Sequence, residues 1–374
     1  MKKIIYFSYF LLLVFFSFFS YLFIDPNLVY LKNLYTGFVF ENREVTTLLY
    51  IVLVMAFFLG YSQILKNIRM IDISSLKLLI GLTALILVFS YPAFLSFDIF
   101  NYIATAKTLF FYGENPYLVM PIEFAGDPLL LFTHAANKIA LYGPLWIGLT
   151  SIPYFLSFGH FLTILFSLKV FIALFYLGTI YTLWKITKNV FSIVFFAFNP
   201  LVVVETLMSY HNDIVMMFFA LVSFYFLSKR KIFLAMSFLI VSILIKYATI
   251  FLIPVFIYVL IKIVKREKNY WDNIYLISAI LMFTIFLLSS LRVEIYSWYG
   301  IWFLSFLSLV QKRKTILYGS LALSLGLLLR YIPFMFFGIY DSSTAILREA
   351  VTFFPPIFLY LLIILRKFVW AKNT

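Results

Sequence analysis

The 374-residue sequence contains no cysteine, so disulfide frameworks and thiolate metal sites are excluded at the outset. Histidine is nearly as scarce: the three present would have to converge to form a zinc cage, and nothing in their spacing suggests it. Only 12% of residues are charged, and no long polar stretch interrupts the chain, which leaves little from which to build a soluble domain. A Gly-rich phosphate cradle, a metalloprotease helix motif, a Gly-x-Ser-x-Gly elbow and a paired-carboxylate Asp-x-Asp motif are also missing. Their absence argues against an ATP or nucleotide-sugar site and favours a substrate with an apolar tail that arrives through a bilayer.

What is present is apolar surface. Hydrophobic residues make up 64% of the chain and its mean hydropathy is +1.05. A soluble domain of this size needs a large polar exterior, so lipid must be the solvent. The 48 phenylalanines and 27 tyrosines suit rings packed between helices and placed at headgroup level. The net charge of +14 is divided into short clusters between apolar runs rather than gathered in one patch, which points away from nucleic acid.

A helix needs about 20 apolar residues to cross the hydrocarbon. Candidate spans are 4–24, 46–65, 78–97, 161–184, 190–208, 212–228, 231–246, 248–264, 272–291, 296–311, 315–333 and 349–367. The run that follows Lys2-Lys3 is too long for a signal-peptide core and is followed by no cleavage site, so it reads as the first span. Residues 144–158 form a shorter apolar stretch that opens on Gly143-Pro144 and reads as interfacial or re-entrant. With this threading the cytoplasmic termini and loops hold 20 of the 29 basic residues and three of the 15 acids, and the remainder carries a net −3. The positive-inside rule then places both termini in the cytoplasm. The sequence therefore predicts a single all-α domain over 1–374, a polytopic helical bundle of about 12 spans in the cell membrane. Interfacial helices lie in its longest non-cytoplasmic loop, 98–143.

The residues able to do chemistry gather on the non-cytoplasmic side. Asp98, Asn101, Tyr102, Thr105, Thr108 and Tyr112 share one helical face, and Ile99, Ile103, Ala106 and Phe110 share another, an amphipathic pattern suited to the interface. Asp98 is either a helix cap or a general base, and spacing alone does not separate the two. Tyr117 and Tyr142 belong to Gly/Pro turns, Gly113 to Tyr117 and Tyr142 to Leu145, that are explained by turn formation alone. Pro200 falls inside a span, and Glu205 follows it, ahead of the turn His211-Asn212-Asp213. A broken membrane helix commonly lines a cavity, and an intramembrane carboxylate is by default a functional candidate, with an interhelical polar contact as the bland alternative. Lys246, Arg292, Arg330 and Arg348 are outward cations that either pair with acids such as Glu294, Asp341 and Glu349 or hold an anionic ligand such as a phosphate.

In these residues the chain resembles the C-type (GT-C) membrane glycosyltransferases, and within them the polyprenol-phosphate-mannose-dependent mannosyltransferases. The resemblance rests on Asp98 through Tyr102, Gly113 through Tyr117, Tyr142 through Leu145, Asn199-Pro200-Leu201, His211-Asn212-Asp213, Lys246-Tyr247 and Trp298-Tyr299. It covers roughly residues 90–310 in order, and departs at Tyr210, where many relatives carry a small residue. The resemblance implies inverting transfer of a hexose, mannose first, from a polyprenyl-phosphate sugar to a glycan or glycolipid acceptor on the non-cytoplasmic face. It implies Asp98 as the base and Lys246, with Arg292, Arg330 or Arg348, as the cations toward which phosphate leaves. Asn101, Tyr102, Tyr117, Tyr142, Glu205, His211, Asn212, Asp213 and Tyr247 would line the donor and acceptor sites. No cofactor is required, a divalent metal is compatible with the scheme, and membrane lipid is the remaining partner. A transporter or flippase of lipid-linked sugar is the rival reading, suited by Glu205 and the break at Pro200. A non-catalytic scaffold is a weaker rival, because it gives the 98–143 loop and the outward cations no purpose.

Overall fold

The computed structural model describes residues 2–28, 36–291, 294–310 and 313–372, and among them all regular structure is helical. Seven of the described helices are long and apolar enough to cross a membrane: Ile4–Phe23, Arg43–Lys66, Phe161–Thr187, Tyr247–Val264, Trp271–Leu291, Lys314–Phe337 and Ser342–Arg366. Val190–Ala197 and Pro200–Met208 add an eighth if they are taken as one span bent by 56°. The other expected spans fall on shorter helices. Ile73–Val88 and Asp213–Ser228 have 16 residues and Ile232–Ile245 has 14. The segment expected at 296–311 forms the short helix Gly300–Leu307. Asp213–Ser228 and Ile232–Ile245 keep the expected bounds to within a residue, closed by the 229–231 basic cluster and Lys246, whereas the helix expected to reach residue 97 stops at Val88, ahead of Ser90. Residues 144–158 break into two six-residue helices, Pro144–Leu149 and Ser151–Leu156.

The centre of the bundle is the segment from Ser192 to Met217, which is buried throughout. Its path is set by Asn199-Pro200. Proline cannot donate to the preceding turn, so carbonyls at the end of Val190–Ala197 lose their helical donors. In a bilayer each must find another. Tyr61 donates to the Phe195 carbonyl at 2.9 Å and Tyr176 to that of Ala197 at 2.6 Å. Asn199 caps the next segment by accepting from the Leu201 amide at 3.0 Å, with Pro200 in the first helical position, where its missing N–H costs nothing.

The restarted helix then widens into a π-turn at Val204–Met208, with the Ser209 amide bonded to the Val204 carbonyl at 2.9 Å. Such wide turns are often found at functional sites. It ends on Tyr210, whose φ of +56° is unusual for a bulky side chain. The strain is held from outside: the Tyr210 hydroxyl donates to the Leu87 carbonyl at 2.5 Å and its ring sits 4.9 Å from the Lys169 ammonium. Lys169, fully buried in the Phe161–Thr187 helix, donates to the Ser90 carbonyl at the end of Ile73–Val88. A cation there also meets the negative end of that helix. The departure from the family pattern at Tyr210 thus ties the turn to a neighbouring helix.

On the far side, Lys314–Leu329 packs against Ser342–Lys372 so closely that a Cβ on Gly326 would lie 1.9 Å from the Thr352 carbonyl oxygen, whereas one on Gly319 would meet the end of the Tyr360 side chain, its hydroxyl at 2.3 Å and the ring edge behind it. Backbone cannot yield as a side-chain tip can. Gly326→Ala is expected to cost about 1–3 kcal/mol, Gly319→Ala less, and Gly81→Ala, with nothing within 4 Å, essentially nothing. Thermal melts of the three variants in detergent check that order.

Candidate active site

Asp98 opens the helix Asp98–Phe110, but its carboxylate does not cap it; the cap position is Phe97 and has no side-chain bond. Instead the Asp98 amide donates to Ser96 Oγ at 3.2 Å, and the carboxylate accepts from Asn101 Nδ2 at 3.4 Å. The cap alternative is therefore not taken up. The expected amphipathic pattern is also modified. Ile99, Ile103 and Ala106 are buried, and so are Tyr102, Thr105 and Thr108 on the polar face. The loop folds back over that face: Asn101 Oδ1 accepts from the Ala135 amide at 3.3 Å, and Tyr102 lies edgewise against Tyr142 and Trp146.

Tyr117 donates to the Tyr142 carbonyl at 2.7 Å, closing the loop on itself. The Gly143 amide donates to the Ile245 carbonyl at 3.0 Å, which brings the loop to the Lys246 tip. Burial, followed by the nearby Asp98 charge, raises the pKa of Tyr102 and Tyr142, so both remain protonated donors. Burial lowers His134, whose ring stacks on Phe97 at 3.8 Å.

The turn after the broken helix reaches the same place. Tyr102 accepts from the Asn212 amide at 3.2 Å, which joins the Asp98 helix to the His211-Asn212-Asp213 turn. His211 is fully buried, with Nε2 3.9 Å from Asp98 Oδ2 and Nδ1 3.2 Å from Glu205 Oε2. Its ring stacks on Trp298 at 3.9 Å, and Trp298 stacks on Tyr296 at 4.5 Å. Glu205, itself fully buried, accepts from the Tyr331 hydroxyl at 2.9 Å.

Lys246, Arg330 and Arg348 have partners. Lys246 bonds both oxygens of buried Asp213, at 2.8 and 2.9 Å, and sits over the Tyr299 ring; Trp302 Nε1 donates to the same carboxylate at 2.5 Å. Arg330 and Arg348 each reach Glu294 Oε2 at 2.9 Å, and Tyr340 donates to the other Glu294 oxygen at 2.8 Å. Of the two alternatives for these cations, pairing with acids is present for all three, with Asp213 for Lys246 and Glu294 for both arginines. The two clusters differ in balance. Lys246 and Asp213 cancel, whereas two guanidinium groups share one carboxylate and leave a surplus of one positive charge. Arg330 Nε and Arg348 Nε are buried without a hydrogen-bond partner among the described residues. Tyr296 lies between this cluster and Asp98, and burial, then the Glu294 charge, pushes its pKa up to about 12.

The fold thus brings together Asp98, Asn101, Tyr102, Tyr142, Glu205, His211, Asn212, Asp213 and Lys246, with Arg330 and Arg348 beyond Tyr296. Tyr117 supports the loop. Tyr247 is 57% exposed and makes no hydrogen bond to these groups among the described residues. Arg292 lies outside the described residues. Among the described residues no three acidic or histidine side chains surround a common point that could hold a metal ion. Sequence reasoning named Glu294 only as a pairing option and missed the contributions of Tyr296, Trp302, Tyr331 and Lys169. Lys169 had a usable signal, a lone lysine inside the apolar run 161–184.

A helical membrane bundle that gathers carboxylates, a histidine, cations and aromatic rings around one another has the character of an enzyme rather than of a scaffold. Residues 21–262 match the family model described as alpha-(1->6)-mannopyranosyltransferase, N-terminal domain, and the chain belongs to that family of glycosyltransferases, the MptA/B family. No curated protein matches the chain. No solved structure matches it.

Because Asp213 is fully buried, removing its cation leaves an uncompensated charge. Lys246→Ala is expected to destabilise the protein by about 3–5 kcal/mol. The double variant Lys246→Met/Asp213→Asn should recover most of that loss, and thermal melts of the single and double variants check both.

Proposed function

We propose that the chain transfers mannose from a polyprenyl-phosphate donor to a hydroxyl of a glycan or glycolipid, by a single inverting displacement on the non-cytoplasmic face. In this reading the shorter apolar helices also cross the membrane, giving about 12 crossings with both termini inside. The observation that carries the reading is the state of Asp98. Asp213 is fixed by Lys246, Glu294 by two arginines, and Glu205 lies sealed in the core. Asp98 is the one of the four that is both partly exposed, at 27% of its side chain, and without a Lys or Arg partner among the described residues; Glu294, at 22%, is held by two arginines.

A carboxylate in that state can accept the proton of an incoming hydroxyl. Phosphate is a good leaving group, and the surplus charge of Arg330 and Arg348 suits the charge it develops. An apolar crevice of about 340 Å³ runs between the helices that carry these arginines, lined by Leu276, Phe283, Phe303, Leu323, Phe353 and Tyr360. Phe353 is five residues beyond Arg348, about 7 Å along the helix. A phosphate held by the arginines would have its polyprenyl tail directed along this crevice. Buried Asn212, whose side-chain nitrogen and oxygen have no partner among the described residues, suits sugar hydroxyls. If the product is an α-(1→6) linkage, as the family's description has it, inversion requires a donor of β configuration.

The test uses purified protein with labelled polyprenyl-phosphate mannose and a panel of α-mannoside acceptors, with the anomeric configuration of the product read by NMR. Asp98→Asn is expected to lower kcat by about 100-fold or more while melting like the parent protein. Full activity in that variant removes Asp98 as the base. Movement of the donor across vesicles without product favours the transporter, which the bent span and buried Glu205 also suit.

A further inference from the structure

The chemistry above leaves Glu205 and His211 without a task. Both are fully buried and both face the reacting end of the molecule through His211. From the geometry we infer that Glu205 and His211 form a proton-handling couple behind Asp98, in which His211 takes from Asp98 the proton that Asp98 has removed from the acceptor. The inference rests on the reading of Asp98 as base and extends it to the groups that reset the base.

The tautomer of His211 follows from its neighbours. Nδ1 faces two acceptors, the Glu205 backbone carbonyl at 3.1 Å and the Glu205 carboxylate at 3.2 Å. A ring nitrogen so placed carries its hydrogen. In the neutral ring Nε2 therefore presents a lone pair, and it has no hydrogen-bond partner among the described residues. The nearest charged atom to it is Asp98 Oδ2, at 3.9 Å. A lone pair and a carboxylate oxygen share no hydrogen, so they stand apart in the resting state. One proton arriving between them turns that gap into an O–H···N hydrogen bond, and contacts of this kind tighten when substrate is bound.

In the transfer step the acceptor O–H bond breaks and its proton goes to Asp98 Oδ2. The oxygen's electron pair forms the bond to the anomeric carbon, and the bond from that carbon to the phosphate oxygen breaks, its pair leaving with the phosphate. The proton then crosses from Oδ2 to Nε2. This restores the Asp98 carboxylate and leaves an imidazolium that faces the Glu205 carboxylate, before the proton returns to water through Asp98. Glu205 thus holds one tautomer and compensates the positive ring, the task of the buried acid in acid–histidine–nucleophile triads. Trp298, stacked on the ring at 3.9 Å, fixes its plane and favours its charged form. His211 and Glu205 act through Asp98, as positioning and proton-accepting groups, and do not touch the sugar.

The titratable groups facing the imidazole are Glu205 on its own segment and Asp98 and Tyr102 from the Asp98–Phe110 helix. Tyr331 is bonded to Glu205 and Tyr296 lies behind Trp298. Asp213, two residues along the chain, is already engaged by Lys246.

Two measurements test the couple. The chain has only three histidines, so imidazole 15N shifts of histidine-labelled wild-type protein are readily assigned with His134→Gln and His160→Gln. The expected state of His211 at the pH of maximal activity is the neutral Nδ1–H form; a proton on Nε2 at that pH, in a neutral or a charged ring, overturns the proposal without any site variant having to fold. In kinetics, Glu205→Gln and His211→Gln are each expected to lower kcat by about 10–100-fold, with acceptor KM within about twofold of the parent. In Glu205→Gln the acidic limb of the kcat–pH profile should move to lower pH, because the imidazolium loses the carboxylate it faces. Folded variants with the parent's kcat and pH profile would refute the couple. If Asp98→Asn is then inactive, the base reading survives alone; if Asp98→Asn is active, both fall.

Discussion

The break at Pro200 is the constraint on which the rest of the molecule depends. A helix interrupted inside a bilayer forfeits backbone hydrogen bonds that lipid cannot replace. Here Tyr61 and Tyr176 from two different helices supply them, and Asn199 restarts the chain in a new direction. Every later feature of the site follows from that redirection. The restarted segment widens at Glu205, turns through a left-handed Tyr210, and delivers His211, Asn212 and Asp213 against the start of the Asp98 helix. A straight helix over 190–208 would carry Glu205 away from this end. The interruption costs stability locally and is held in place by side chains that have no contact with the reacting groups.

Charge compensation is the second organising principle. Four carboxylates, three cations and one imidazole occupy a small apolar volume, where an isolated charge is expensive. The fold pairs Lys246 with Asp213 and divides Glu294 between Arg330 and Arg348. What is left over defines the chemistry: an excess positive charge at the arginines, and at Asp98 a carboxylate without a fixed basic partner. A stacked column of His211, Trp298 and Tyr296 runs from the Asp98 side toward the arginine cluster. The proposed reaction brings an anionic donor to the arginines and a hydroxyl to Asp98, and so uses both residual charges.

Much of this is legible in the sequence because local rules carry it. The proline in an apolar run announces the break, the spacing of Asp98, Asn101 and Tyr102 announces the helix, and the charge clusters announce the ends of the spans. Other features depend on distant partners and leave no local trace. Nothing in the chain near Glu294 says that two arginines 36 and 54 residues later will share one of its oxygens. The burial of both faces of Asp98–Phe110 depends on a loop folding back over it, which periodicity cannot register. The apolar run 78–97 predicts a span reaching residue 97, but the helix ends at Val88, where the Phe89 and Ser90 amides turn back on the Ile86 and Leu87 carbonyls through contacts that hydropathy does not register. Lys169 is different: the rule that exposed Glu205 applied equally to it, and its role at Ser90 and Tyr210 was open to the same reading.

The limits of the family match sharpen the division of labour. Residues 21–262 contain Asp98, Glu205, His211, Asn212, Asp213 and Lys246, the groups that surround the proposed proton transfer. Glu294, Arg330 and Arg348, and the crevice between their helices, lie beyond that segment. Yet the two parts are not separable as folded units. Trp298 and Trp302 reach back to His211 and Asp213, Tyr331 bonds Glu205, and Tyr50 donates to the Leu328 carbonyl at 2.8 Å. The later helices therefore complete the environment of the earlier residues as well as carrying the arginines proposed to hold the phosphate. A change in the arginine helices can reach the carboxylates through Tyr331 and the tryptophans, so in the proposed reaction the donor end and the proton-transfer end are joined by named side chains rather than by proximity alone.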